Sequence, residues 1–530
     1  MKSKKRQVCT ALLFMFFMIC LLIITSIIEA KISSENLVLS LVFERTKSYK
    51  IKQVLTILIA YLYGKLFLIC TQKSVEQKLQ NLLAFPIAIC IWCITSYVVL
   101  LLDIPYNAYV MCFILLCLLV VLLIKCRNKI QGDLVRNIIV SCIYVVGFAC
   151  LATSGLLYIQ LTEDSYYFIS QYAEIITNMQ SLNPDYCSML MSWTGISPAL
   201  INSLPIMMGF ETMYGIHHVI MLSFVGIFGY SVYELGITYL DQKKAKFVAI
   251  IVSILLVITP AVGITMGLEL SSSYFVVYIF LFVFLSEKIQ YVENKIDYEI
   301  VIILIEIMLV LTRQEASVVL CFFIVGISVL KYENKELVNI FVLPCILTQI
   351  SYLVKMVLVL NVGRDNGILL NTKSMAMIMG VNILTFLYVL LVRNRILFFV
   401  QKHLHAVLIY AMGIVQVGLF IMEPEKIKTN LLSELSNSVN SEWGLSFWMI
   451  LFLVMYSIFL DGKFSYLETL WIGYLMYYFI ICAGRKYDLR VGITDSYARM
   501  MVCIIPIAYY AFMKKIFSYR FENYDRTLKN

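Results

Sequence analysis

Charge is what this sequence has least of. Only 14% of its 530 residues are Asp, Glu, Lys or Arg, against about a quarter in water-soluble chains. Between Arg136 and Lys243 there is no Lys or Arg at all. That scarcity excludes a set of soluble domains. Also missing, in any credible context, are a P-loop, GxGxxG, HExxH or GxSxG. Their absence argues against an ATPase, a hydrolase of those types, and a nucleotide-sugar enzyme built on a cytoplasmic Rossmann fold. The fifteen Cys are scattered, mostly inside apolar runs, without metal-ligand spacing. Cys187 is the one that falls clearly in an outside loop, so a disulfide framework is not expected and buried, inert thiols are.

What the chain has instead is apolar length. It is 61% hydrophobic, with a mean hydropathy of +0.87. Windows of roughly 20 apolar residues, enough to cross ~30 Å of hydrocarbon, recur from end to end. Continuous runs rather than short alternating ones predict an all-α, polytopic integral membrane protein and not a β-barrel. The predicted spans are 8–28, 52–70, 82–102, 106–124, 138–160, 213–235, 245–262, 270–286, 299–312, 316–330, 337–360, 376–392, 404–421, 444–460, 466–483 and 499–513. Segment 36–51, outside these sixteen, reads as a surface helix, and 299–312 with 316–330 as two spans or a hairpin that crosses part of the way. Sixteen spans would put both termini in the cytoplasm. The N-terminal "MKSKKRQVCTALLFMFFMICLLIITSII" is too long for a signal-peptide core and reads as a retained first span.

The net charge of +9 could suggest nucleic acid. However, most of the basic residues lie in short loops assigned to the inside, as the positive-inside rule requires, so charge here is an orientation signal. The long loops fall outside: 161–212, 422–443 and 484–498. Function in such proteins concentrates in loops held by a rigid scaffold.

Loop 161–212 opens with Glu163 and Asp164 and also holds Glu174, Asp185 and Glu211, with no cation. If 163–175 is helical, Asp164, Tyr167, Gln171 and Glu174 share one face, and Phe168, Tyr172 and Ile175 another. A carboxylate at the membrane edge, shielded from bulk water, holds its proton more tightly, which suits a general base near neutral pH. The alternative is a set of solvated loop acids, preferred for Glu174, Asp185 and Glu211. Further on, Ser197-Pro198 marks a helix start, and "TGISPALINSLPIMMGF" is expected to lie along the membrane surface.

Arg313 and Glu315 in "LTRQEAS" sit between two short apolar runs, with Glu306 two turns earlier on the same face. Ionisable groups at that depth face a cavity or a partner, and a Glu306–Arg313 ion pair would serve packing alone. Lys355 near the end of its span reads as a snorkelling side chain. The last outer loop, "GRKYDLRVGITDSYARM", carries Arg485, Lys486, Arg490 and Arg499 on the side where positive charge is disfavoured. Arg forks bind phosphate oxygens bidentately, so phosphate recognition is one reading; attraction to anionic headgroups is the other. Adjacent His217 and His218 point about 100° apart on a helix, so a structural or cavity role is preferred over a metal site. The Tyr groups, "YLMYY" among them, fit an interfacial aromatic belt.

An in-to-out span, an acidic pair, a long loop with an apolar helix and an out-to-in span together resemble the GT-C glycosyltransferase superfamily. The stretch "EDSYYFISQYAEIITNMQSLNPDY" through "SPALINSLPIMMGFETMYGIHHVIMLSFVGIFGY" is similar to a group of bacterial polytopic proteins with an Asp-Asp-x-x-Tyr-type opening, and "DSYARMMVCIIPIAYY" to their final span. The resemblance covers roughly 138–515. It implies an outward-facing catalytic cavity and a polyprenyl-phosphate-linked sugar as donor. Asp164 or Glu163 would match the first-loop acid, as base or metal ligand. Arg313, Arg485, Arg490 and Arg499 would bind the lipid phosphate, and Glu315, Tyr167 and His217 would line the cavity. Residues 1–130 would be an added four-span bundle and 516–530 a cytoplasmic tail. The sequence departs from the pattern in its Glu-Asp pair and in lacking a clear second acidic motif, so the metal stays unassigned. A transporter, flippase or polymerase of lipid-linked glycans is the other function class consistent with these features.

Overall fold

The computed structural model describes residues 40–71, 76–126, 134–153, 169–182, 195–209, 214–292, 295–313, 316–328, 334–355, 372–391, 404–429, 466–483, 499–500 and 502–529, with 432, 448, 452, 453, 455 and 456. Among them there is no strand. The main helices are α1 (Ser40–Thr71), α2 (Gln77–Leu101), α3 (Ala108–Cys126), α4 (Leu134–Thr153), α5 (Gln171–Met179), α6 (Ser197–Met207), α7 (Tyr214–Ile237), α8 (Gln242–Ile258), α9 (Pro260–Met266), α10 (Ser271–Lys288), α11 (Ile296–Thr312), α12 (Ala316–Ile327), α13 (Leu343–Leu353, preceded by a π-helical stretch Leu337–Val342), α14 (Thr372–Leu391), α15 (Leu404–Met422), α16 (Tyr466–Ala483) and α17 (Ile504–Lys529). The all-α expectation is met.

Among the described residues, four segments are long and apolar enough to cross a membrane: Lys52–Thr71, Gln77–Leu101, Ile216–Ile237 and Ser271–Tyr291. A fifth is formed if α8 and α9, which meet at 77°, count as one broken span. The single span expected over 245–262 is thus bent. Thr259 adopts an extended conformation before Pro260, because proline disfavours the α region in its predecessor and cannot donate the next helical hydrogen bond.

Contacts group the chain into two compact units: Met1–Phe224 with Val292–Thr312 and Val354–Leu370, and Val225–Tyr291 with Arg313–Leu353 and Asn371–Asn530. In the first, α1 packs on α2, α3 and α4, and α2 also contacts α6 and α11. Gly64 lets α1 approach closely: a Cβ there would run into the Ala84 carbonyl of α2. Small residues at crossings are the expected way for helices to associate in lipid.

Helix α6 departs from expectation. It begins at Ser197 with Pro198 in its first turn, as its sequence predicts, but Ser197–Pro205 are all buried rather than lying on a surface. With only Ser and Asn as polar side chains, α6 has no charged face to offer water, and a helix apolar all round is buried. Its polar groups are met by neighbours. Trp92 Nε1 donates to Leu200 O at 2.8 Å, the Tyr106 and Ser203 hydroxyls lie 2.5 Å apart, and Ser197 and Thr312 hydroxyls lie 2.8 Å apart.

In the second unit α10 is the central element, with 94% of its apolar window buried. One end of this unit is held by ion pairs: Lys288 with Glu234, Lys514 with Glu287, and Lys515 with Glu468 at 2.6 Å. Elsewhere α8 turns Phe247, Ile250, Ile254 and Ile258 outward, an apolar stripe at helical spacing.

Candidate functional site

Glu163, Asp164, Tyr167, Glu315, Arg485 and Arg490 lie outside the described residues. Of the acidic loop, helix α5 is described. Gln171 and Glu174 are exposed and Tyr172 is buried, as their spacing suggests, but the buried face is completed by Ala173 and Ile176 while Ile175 is only half-buried. Exposure of Glu174 fits a solvated loop acid.

In the first unit His217 is fully buried near the start of α7. Its ring meets that of His218 edge-on, with centroids 6.1 Å apart, and His218 Nδ1 donates to Ala152 O at 3.2 Å. That bond ties α7 to α4, consistent with a structural histidine pair. Among the described residues no group of three or more His, Cys, Asp or Glu could hold a metal ion.

Lys355 does not snorkel. It is buried, and its ammonium lies 2.7 Å from Asp103 Oδ1 and 3.4 Å from Leu101 O, at the C-terminal end of α2. The carbonyls left over at that end attract a cation.

Arg313 belongs to the second unit and is half-buried. Its Nη1 donates to Ser271 Oγ at 3.1 Å. Ser271 opens α10, whose N-cap, Leu270, offers no side-chain acceptor to the first turn. The approach to α10 is fixed from α9: Ser273 Oγ donates to Thr265 O at 2.8 Å and to Leu268 O at 2.5 Å. Leu268–Leu270 make the turn, and Glu269 within it is 3% exposed. A guanidinium therefore meets the first residue of α10, in a stretch where Glu269, Ser272 and Ser273 are also buried. A guanidinium beside a helix N-terminus can hold an oxyanion, because the helix N–H dipoles and the fork of charged donors both favour negative charge. Arg499, the other described member of the expected cation set, is half-buried at the beginning of the last apolar segment.

Sequence reasoning singled out Arg313 but not Glu269, Ser271 or Ser272. The signal available was small: in "GLELSSSYF" a lone acid and three consecutive serines interrupt an otherwise apolar stretch. No family model matches the chain, and no curated protein or solved structure matches it either.

Proposed function

We propose that this protein is a multi-span membrane glycosyltransferase of GT-C type, with sixteen spans and both termini in the cytoplasm. It transfers a sugar from a polyprenyl-phosphate donor to an acceptor outside the cytoplasm, with inversion. Four apolar helices of spanning length and the outward apolar face of α8 support a membrane setting. The observation that carries the substrate class is the Arg313 guanidinium fixed on Ser271 at the head of α10, a cation presented to a phosphate within an apolar bundle.

In this reading Asp164 or Glu163 takes the proton from an acceptor hydroxyl as its oxygen bonds to the anomeric carbon. The bond from that carbon to the phosphate oxygen breaks, and the electron pair leaves with the lipid phosphate. Arg313, with Arg485, Arg490 and Arg499, stabilises the charge that develops there. The test is purified protein in proteoliposomes with candidate polyprenyl-phosphate sugars and mass spectrometry of the products. Glycosylated acceptor from wild type and none from Asp164→Asn is the expected result. Undiminished transfer by Asp164→Asn and Glu163→Gln would overturn the assignment of the base.

A transporter or flippase of lipid-linked glycans is the second reading, and the 77° break between α8 and α9 favours it. Broken helices expose backbone groups that bind substrate in transporters. Movement of a fluorescent lipid-linked glycan between leaflets, with no new glycosidic product, would select it.

A further inference from the structure

Lys65 is enclosed without a carboxylate. Lys355 and Lys515, by contrast, each reach one, on Asp103 and Glu468. Lys65 lies within the apolar segment Lys52–Thr71 of α1 and is 1% exposed. Its ammonium donates to Gln80 Oε1 of α2 at 3.3 Å. Among the described residues it has no other polar partner, and no acid acts on it. The other polar groups at this junction of α1, α2 and α4 are neutral and meet one another. Tyr61, one turn before Lys65, lies against the Ser141 hydroxyl of α4, which donates to Asn81 Oδ1 at 3.2 Å. Two of the three ammonium N–H groups are therefore unmet. A side chain so enclosed cannot carry its charge out to headgroup water, and a buried charge without a counter-charge is costly. Ionisable groups held at membrane depth mark binding sites.

We infer that Lys65 binds a chloride-sized halide ion, whose single negative charge balances the ammonium between α1 and its neighbours. The size follows from the helix crossing. Gly64, next to Lys65, brings α1 against the Ala84 carbonyl, and Ala84 stands one turn along α2 from Gln80. Backbones that meet there leave room beside the ammonium for a small ion and none for a lipid headgroup. The kind of anion follows from the donors. A carboxylate presents about four lone-pair sites, more than two N–H groups can meet. A divalent oxyanion would bring a second charge that nothing at this junction balances. A halide has one charge and accepts from any direction. Binding it would make the packing of the first unit depend on halide.

This site is independent of the glycosyl chemistry proposed above. Full-length protein in detergent, exchanged into gluconate, is melted in rising chloride, bromide or sulfate at constant ionic strength. Chloride and bromide are expected to raise the melting temperature saturably, as a ligand of the native state does. Sulfate is expected to leave it at the gluconate value. Lys65→Met removes the cation and should abolish the rise. Gln80→Glu puts a carboxylate where the ammonium already reaches, so an internal anion replaces the bound one and the rise should vanish there too. Either variant decides the matter if the other does not fold. Equal wild-type melting in chloride and gluconate would show that Gln80 alone satisfies the amine, and would overturn the site. So would a rise of the same size in sulfate, or one that persists in Lys65→Met or Gln80→Glu.

Discussion

Lys355 and Asp103 are 252 residues apart in sequence, yet the Lys355 ammonium sits between both Asp103 carboxylate oxygens, at 2.7 and 2.8 Å. The two partners differ in setting: the lysine side chain is 5% exposed and the aspartate 72%. Asp103 also adopts a left-handed backbone with φ 53°, which Asp and Asn tolerate better than other side chains. Removing the carboxylate leaves a buried cation with a single long bond to Leu101 O. Removing the lysine leaves an acid already in contact with solvent.

The two substitutions should therefore be unequal. Asp103→Asn keeps the backbone preference and is expected to cost about 1–2 kcal/mol, reduced from a fully buried pair by the exposure of Asp103. Lys355→Met should cost less than about 1 kcal/mol. Thermal unfolding of each variant in detergent ranks them. The reverse order would show that the lysine acts on the α2 terminus more than on Asp103.

Lys515 and Glu468 form a more enclosed pair, 10% and 2% exposed, joining α17 to α16. Lys515→Met removes the cation beside a buried carboxylate and should cost about 3 kcal/mol, whereas Lys515→Met with Glu468→Leu should recover most of that loss. A double-mutant cycle on melting temperature measures the coupling, and strictly additive losses would refute it.

Local pattern located most helices and could not locate partners. The spans expected over 82–102 and 270–286 correspond to α2 and α10, and the short runs at 299–312 and 316–330 to α11 and α12, because apolar length is a local property. The last helix runs from Ile504 to Lys529, so much of the segment expected to be a tail is helical. The bend at Thr259 was legible in the dipeptide Thr-Pro and was passed over within a longer apolar window. The burial of α6, the Lys355–Asp103 pair and the Arg313–Ser271 contact depend on residues far apart in the chain, and no spacing rule reaches that distance.

Gly64 offers a test of packing alone. A Cβ at this position meets the Ala84 carbonyl, which is backbone and cannot swing aside. Gly64→Ala should cost about 1–3 kcal/mol by overpacking and Gly64→Val more, read as a falling melting temperature with unchanged helix content. Tolerance of valine there would mean that α1 and α2 are not in such close contact.

Asp241 supplies a pH dependence. It N-caps α8, accepting from Lys244 N at 2.9 Å. That backbone bond first, and then its side-chain bond to Lys244, hold its carboxyl below the ordinary value of 3.8. A depressed folded value means the cap contributes fully above that ordinary value and is lost as pH falls through the lower, folded one. Exchange at the first amides of α8 should therefore quicken, beyond its intrinsic pH trend, as pH drops below 3.8. Asp241→Asn, which still caps but does not titrate, should remove that extra acceleration. An identical profile in both proteins would exclude the cap as its source.

Helix α6 decides between two pictures of the long loop. On a membrane surface its amides would exchange readily, and changes in α2 would not alter them. Buried as it is, α6 is secured by Trp92 Nε1 donating to Leu200 O and by Ser203 Oγ donating to the same carbonyl at 2.7 Å. Trp92→Phe keeps most of the ring and removes one of two side-chain bonds to that oxygen, so it should cost about 1 kcal/mol. Trp92→Phe with Ser203→Ala leaves the carbonyl without either side-chain donor and should cost about 2 kcal/mol or more. Hydrogen exchange over 197–207 should show strong protection in wild type, a measurable drop in the single variant and a larger one in the double. Fast exchange in wild type, or protection indifferent to both changes, would return α6 to the surface and remove the polar contacts that fix the loop to the bundle.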